Sequence, residues 1–154
     1  MFLATNYSLQ SGKYRIKRTL GQGGFGITYE AEQVSLGRSV AIKELFIKGF
    51  CIRSFNSSEV VVSSGNVQSW FNRFLEKFIK EARMIASLDH PGIVRVIDVF
   101  EENCTAYYVM DYLQGGSLKE KVEKMATFLH LMQLNILVKF ALRWNIFIAR
   151  TFCI

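Results

Sequence analysis

Three glycines, a lysine and a glutamate are the residues in this chain whose types and spacing could support chemistry. Gly21, Gly23 and Gly26 form a GxGxxG pattern, Lys43 ends an apolar run at residues 40–42, and Glu81 lies among apolar residues farther along. Backbone N–H groups of glycines can approach phosphate oxygens because no side chain intervenes, and a lysine supplies the opposite charge. These residue types therefore indicate binding of nucleotide phosphates.

The GxGxxG pattern alone is ambiguous. It also opens dinucleotide-binding folds, in which a helix follows the glycines directly and an acidic residue lies about 20 positions farther on. Here residues 27–32 follow, and they alternate between apolar and polar as a β-strand does. We therefore expect a flap, a glycine turn between two antiparallel strands, with Phe25 at its tip.

Lys43 and Glu81 each have a purely structural interpretation as well. A lysine among strand hydrophobics must either reach solvent at a sheet edge or find an anion, because an unpaired buried ammonium is costly. Taken alone, Lys43 fits an exposed edge strand and Glu81 fits a solvated helix face. Their order along the chain is what favours the functional interpretation.

The elements that must position these residues follow from hydrophobic periodicity. Alternation and β-rich composition predict five strands, and residues from Trp70 onward place apolar side chains at spacings of three and four, which predicts one long helix. The helix should end near the His90-Pro91-Gly92 segment. Residues 46–69 are interpreted as an ordered or partly ordered insertion. The predicted strands cover residues 14–20, 27–32, 39–45, 93–100 and 106–112.

The order of these features along the chain is similar to that of protein kinases. A glycine flap comes first, then a lysine on a strand, a glutamate on a helix, and a β-hairpin that leads into residues 107–118. Residues 14–123 resemble the small, nucleotide-binding lobe of a serine/threonine protein kinase. Thr28 and the long insertion before the helix most resemble bacterial members of that family. The resemblance implies an α+β fold in which a five-stranded antiparallel sheet packs against one long helix.

The resemblance also implies a set of ATP-binding residues. Gly21, Gly23 and Gly26 would cover the phosphates, while Lys43 would contact the α and β phosphates and pair with Glu81. Met110 would lie at the back of the adenine pocket, although plain core packing explains it equally well and both can hold. The remaining implied contacts are Leu20, Thr28 and Ala41 packing on adenine, backbone groups of Asp111 and Leu113 bonding to it, and Ser117 near the ribose.

The catalytic half of the family pattern is missing from these 154 residues. A kinase needs a base to orient the substrate hydroxyl, and an Asn and an Asp to hold magnesium. The sequence has three aspartates, Asp89, Asp98 and Asp111, and no HRD-like or DFG-like segment. We therefore expect no catalytic residue and no metal ligand in this chain, although the intact family uses Mg²⁺ with ATP.

The net charge of +6 is not a nucleic-acid signal, because residues 1–123 hold 15 basic and 13 acidic side chains in interleaved order. The three cysteines are far apart and form neither a disulfide framework nor a zinc pattern. No secretory leader pattern opens the chain, so a reducing cytoplasm is the expected compartment.

Residues 124–154 differ in composition from the rest, since they hold four basic residues, no acidic residue and no glycine or proline. A membrane-spanning helix is one interpretation, but the longest uncharged run is 14 residues, short of the ~20 that a span requires. A native amphipathic helix would show a polar face, which this segment lacks. We favour an apolar helical tail that is not native kinase sequence, as a frame change after the hinge would produce.

These observations predict the ATP-binding part of a serine/threonine protein kinase, with residues 14–123 as the nucleotide-binding lobe. ATP is the expected ligand, and a protein substrate belongs to the intact family only. The chain itself is expected not to transfer phosphate. The alternative is a kinase-like module that binds a nucleotide or a protein partner without catalysis.

Overall fold

A computed structural model describes residues 2–62 and 65–115, together with residues 122, 123 and 125. The chain divides into two compact units, residues 1–113 and 114–154. The fold below is that of the first unit. The expected apolar helical tail, residues 124–154, lies almost wholly outside the described residues. None of the described helices is long and apolar enough to cross a membrane.

Eight strands and one α-helix make up the described fold. They are β1 (Ser8–Leu9), β2 (Tyr14–Gln22), β3 (Gly26–Gln33), β4 (Arg38–Leu45), β5 (Cys51–Arg53), β6 (Val60–Val62), α1 (Gly65–Ala86), β7 (Val96–Glu102) and β8 (Thr105–Asp111). A short 3-10 turn, Val34–Leu36, joins β3 to β4, and Gly37 ends it in the left-handed conformation that favours glycine.

The main sheet is antiparallel, with the strand order β1-β2-β3-β4-β8-β7. All five predicted strands are present, and the expectation of five was one too low. The additional strand, β1, pairs through only two residues, Ser8 and Leu9, with Arg15 and Tyr14 of β2. Two residues are too few for an alternating pattern, so this edge strand could not be predicted from periodicity.

The sheet is curled, so that strands distant in its order meet. Tyr14 on β2 donates a hydrogen bond of 2.9 Å to Asp98 on β7, and Lys13 forms a 2.6 Å ion pair with the same carboxylate. The Tyr14 ring also stacks on Phe100, with 6.0 Å between the ring centroids. Because β2 and β7 are separated by three strands in the sheet, these contacts require strong curvature, which encloses a core of alternate side chains.

Helix α1 packs against β7 and β8 through its apolar stripe. Phe78 lies 4.9 Å from Tyr108 between ring centroids, and Phe71 and Ala82 are buried on the same stripe. The helix begins at Gly65, five residues before the predicted start at Trp70. Residues 65–69 carry one apolar side chain, Val67, so the periodicity that marks the helix starts only at its second turn.

The insertion is ordered as a small hairpin rather than an irregular loop, and it ends before residue 65 instead of at 69. Strands β5 and β6 pair with each other in a separate two-stranded sheet. The Val60 amide donates to the Asn103 carbonyl at the β7–β8 turn, and Cys51 and Val60 are buried in the common core. The hairpin is therefore part of the lobe's packing.

Candidate functional site

The glycine turn joins β2 to β3 and has Phe25 exposed at its tip, as expected. The Gly23 amide donates to the Gly26 carbonyl over 2.8 Å, which closes the turn. A Cβ atom added at Gly21 or Gly24 would meet no heavy atom within 4 Å, so these two positions leave bare backbone open to a ligand. At Gly26 the same atom would lie 2.7 Å from the Glu44 carbonyl oxygen, so glycine is needed there for close strand packing.

Lys43 lies in the interior of the sheet, not at an edge. Its strand, β4, is paired on one side with β3 and on the other with β8. Its neighbours in register are Thr28 and Tyr108, and Thr28 is in turn the partner of Gly21. Since partners in register share a face, the row of Gly21, Thr28 and Lys43 leads from the flap to the ammonium group. The edge-strand interpretation of Lys43 is therefore wrong.

The Lys43 ammonium lies over two aromatic rings. Its Nζ is 5.4 Å from the Tyr108 ring centroid and 5.9 Å from that of Phe78 on α1. Ring faces are electronegative, so they stabilise a partly buried cation without neutralising it. The side chain is thus held between the sheet and the helix with its charge available to an anion.

Glu81 faces the same cavity as Lys43. This cavity, of about 340 Å³, lies between the flap tip, β4 and α1, and is lined by Phe25, Lys43, Leu45, Phe74, Lys77, Phe78 and Glu81. The expected Lys43–Glu81 ion pair is not formed, however. It is not among the ion pairs within 4.0 Å in the described part of the chain. Glu81 is solvent-exposed, so direct pairing would require its side chain to turn inward.

The residues expected to contact adenine are only partly brought together. Ala41 and Met110 are partners in register on β4 and β8, on the same face as Lys43 two residues along. The Asp111 amide donates to the Arg95 carbonyl over 3.1 Å, so a contact with adenine would have to use its carbonyl oxygen. Leu20 and Leu113 are exposed. Ser117 lies outside the described residues.

Sequence reasoning missed the role of three helix residues. Phe74, Lys77 and Phe78 line the cavity, and none of the three was among the site residues expected from the sequence. The spacing of Lys77 could have indicated that it lies near the site. Lys77 precedes Glu81 by four residues, and residues four apart share one face of a helix.

It also missed a buried polar cluster on the face of β4 opposite Lys43. Glu44 is fully buried, and its carboxylate accepts hydrogen bonds from Arg53 of the insertion and from the hydroxyls of Tyr29 and Tyr107. Burial, together with the charge of Glu44, raises the pKa of both tyrosines well above its ordinary value. Arg53 comes from a stretch without periodicity, so nothing in the sequence connected it to Glu44.

The two ligands implied by the resemblance fit the described residues unequally. The open backbone of Gly21 and Gly24 and the cation of Lys43 suit the phosphates of ATP. For Mg²⁺, no group of three or more His, Cys, Asp or Glu side chains with metal-binding geometry occurs in the described part of the chain.

Comparison with known proteins agrees with this geometry. The chain matches the family model "Protein kinase domain" over residues 14–139, beyond the boundary at residue 123 expected from composition. It is 35% identical over 116 residues to serine/threonine-protein kinase pkn2 of Myxococcus xanthus and 38% identical over 112 residues to serine/threonine-protein kinase PrkC of Bacillus subtilis. Among solved structures it is similar to PpkA-294 in its apo form, with a TM-score of 0.72 and 33% identity.

These matches cover most of this chain and a small part of each relative. The two curated alignments take up 75% and 73% of the chain, but 12% and 14% of the relatives. The structural match covers 77% of this chain and 41% of the other. The chain thus spans a fraction of the length of the proteins it resembles. The family model nevertheless matches more than half of the chain, which therefore belongs to the protein kinase domain family.

Proposed function

We propose that residues 14–123 bind ATP, with the phosphates between the glycine flap and Lys43. The observation that carries this proposal is the row of Gly21, Thr28 and Lys43 across three paired strands, with Glu81 lining the cavity beside the lysine. The flap supplies backbone N–H groups, and Lys43 supplies a charge that the surrounding rings stabilise but do not cancel. Gly23 and Gly26 shape the turn that holds these groups over the phosphates.

The adenine would pack on Leu20, Thr28 and Ala41, with Met110, the partner of Ala41 in register, at the back of its pocket. The carbonyl of Asp111 and the backbone of Leu113 would bond to its edge. The supporting observation is the register, which aligns Ala41 with Met110 one strand repeat from Lys43.

We further propose that these 154 residues bind ATP without transferring its phosphate. In the family, the chain would be the nucleotide-binding part of an enzyme that phosphorylates serine and threonine in proteins. Transfer needs a base for the hydroxyl and ligands for Mg²⁺, and the sequence contains no HRD-like or DFG-like segment to supply them. A protein substrate therefore belongs to the proposed intact kinase and not to this chain alone.

The test is ATP binding by isothermal titration in the presence of a chelator, which removes the contribution of magnesium. We expect the wild-type chain to bind ATP and Lys43→Met to bind it at least about tenfold more weakly, since a charge-assisted hydrogen bond is lost. Lys80→Met is the matched control, because Lys80 lies on α1 in a different groove with Arg83. Equal affinities for wild type and Lys43→Met would contradict the proposal.

A further inference from the structure

An unbroken chain of aromatic contacts runs from the insertion to the flap tip. Phe50 of the insertion lies 5.3 Å from Trp70 on α1, and Trp70 lies 4.2 Å from Phe74, both measured between ring centroids. Phe74 in turn stacks on Phe25 at the tip of the glycine turn, at 6.0 Å and an interplanar angle of 10°. The insertion, the helix and the flap are thus connected through side chains that remain partly exposed.

The flap is also bonded to the insertion through the backbone. The Phe46 amide donates to the Phe25 carbonyl over 3.2 Å, and the Lys48 amide donates to the Gly24 carbonyl over 3.0 Å. These bonds continue the β3–β4 pairing past Gly26, which is the partner of Leu45. They hold the two central residues of the turn, Gly24 and Phe25, against the start of the insertion.

The insertion itself is fixed at both ends of the segment that carries Phe50. On one side, Gly49 has a φ of 87°, and the Phe50 and Cys51 amides both donate to the carbonyl of buried Ile47. On the other side, Arg53 is held by the buried carboxylate of Glu44. Phe50 therefore projects from a rigid support toward Trp70.

From these contacts we propose that Phe50 is a positioning residue for the glycine flap. It holds Trp70 and Phe74, and through them Phe25, in the arrangement that keeps the flap backbone over the cavity of Lys43. Its effect on ATP affinity rests on the proposed function. Its effect on the flap itself does not depend on ATP binding, because the aromatic contacts form within the chain without a ligand.

The experiment is amide hydrogen exchange on the full chain without nucleotide. We expect Phe50→Ala and Phe74→Ala to accelerate exchange of the Phe46 and Lys48 amides by about two- to tenfold. This factor corresponds to the stabilisation that one aromatic pair provides. Phe50→Tyr should restore the wild-type rate. Phe55→Ala is the matched control, because Phe55 lies in the same insertion but is 91% exposed and outside the aromatic chain.

The exchange rates of the amides in strand β8 distinguish a local effect on the flap from a general loss of stability. Equal acceleration in β8 and at Lys48, or no acceleration at Lys48, would overturn the proposal. ATP titration of the same variants is the second measurement. Weaker binding by Phe50→Ala than by Phe55→Ala supports the proposal, and equal binding by both overturns it. If the wild-type chain binds no ATP, the proposed function fails, and the exchange rates alone decide whether Phe50 positions the flap.

Discussion

The Nη2 atom of Arg53 lies 2.7 Å from each carboxylate oxygen of Glu44, and the two side chains are 3% and 0% exposed. The Tyr29 and Tyr107 hydroxyls donate to the same carboxylate at 2.7 and 2.8 Å, and Arg53 Nη1 donates to the Ser58 carbonyl. Burial lowers the pKa of Arg53, but the hydrogen bond and charge of Glu44 outweigh it and raise the pKa overall. Arg53 therefore keeps its charge, and its contact with Glu44 attaches the insertion to the sheet.

Removing Arg53 should destabilise the lobe strongly. Arg53→Met leaves the Glu44 carboxylate buried without its cation, which typically costs about 3 to 5 kcal/mol. We expect the free energy of unfolding, measured by urea denaturation, to fall by that amount. The double variant Glu44→Gln with Arg53→Met should recover much of the loss, because the uncompensated charge is gone.

An exposed ion pair serves as the control for Arg53. Arg18 pairs with Glu30 at 2.8 Å on neighbouring strands, but the Arg18 side chain is 62% exposed. Water already solvates such a guanidinium, so Arg18→Met should cost less than about 1 kcal/mol. Similar losses for Arg18→Met and Arg53→Met would show that the buried pair does not anchor the insertion.

Two glycines of the flap should respond differently to alanine. In Gly26→Ala the new methyl group would meet the Glu44 carbonyl oxygen at 2.7 Å, and strand separation should cost about 1 to 3 kcal/mol of unfolding free energy. In Gly24→Ala the methyl group would meet nothing within 4 Å, so stability should change little. Thermal unfolding of the two variants measures the difference, and equal melting temperatures would contradict it.

The central strands and the helix could be predicted because their residues carry clear periodicity and follow a family order. The resemblance implied Ala41, Lys43 and Met110 as ligand contacts, and the register between β4 and β8 brings the three to one face of the sheet. The glycine turn was expected from the GxGxxG pattern and the alternating residues that follow it. Alternation alone left Lys43 at an edge or in the interior, and only the pairing of β4 on both sides decides between them.

The remaining features depend on contacts between residues far apart in the sequence, which no local pattern encodes. Glu44 belongs to an alternating strand and Arg53 to a stretch without periodicity, and Phe50 meets Trp70 only because the insertion folds back as a hairpin. The Lys43–Glu81 pairing was expected from the resemblance. It depends on side-chain rotation at an exposed helix position, and the structure leaves the two groups unpaired.

Glu81 should therefore matter for ligand binding and not for folding. Because Glu81 is exposed and forms no ion pair within 4.0 Å in the described structure, Glu81→Gln should change the unfolding free energy by less than about 0.5 kcal/mol. ATP affinity should fall about two- to fivefold if Glu81 turns inward to hold Lys43 when phosphate is bound. Glu76→Gln, on the same helix but in another groove, should alter neither quantity. Unchanged ATP affinity in Glu81→Gln would contradict the proposed pairing.

The buried tyrosines should make the lobe unstable at high pH. The pKa values of Tyr14, Tyr29 and Tyr107 are all raised from the ordinary value of 10.0, chiefly by burial. Below pH 10 both folded and unfolded chains keep these protons, so their contribution to stability is complete. Above it the unfolded chain loses them and the folded chain does not, and the unfolding free energy should fall by up to about 1.4 kcal/mol per pH unit for each tyrosine.

Urea denaturation between pH 9 and about pH 11 measures this slope, and Tyr29→Phe should reduce it by removing one of the three ionising groups. Tyrosine absorbance at 295 nm gives an independent test. Of the six tyrosines in the sequence, these three should ionise only as circular dichroism reports unfolding, because the native core admits no phenolate beside the Glu44 or Asp98 carboxylate. Ionisation of all six near pH 10 in a chain that keeps its native circular dichroism would contradict the raised pKa values and the closed core they indicate.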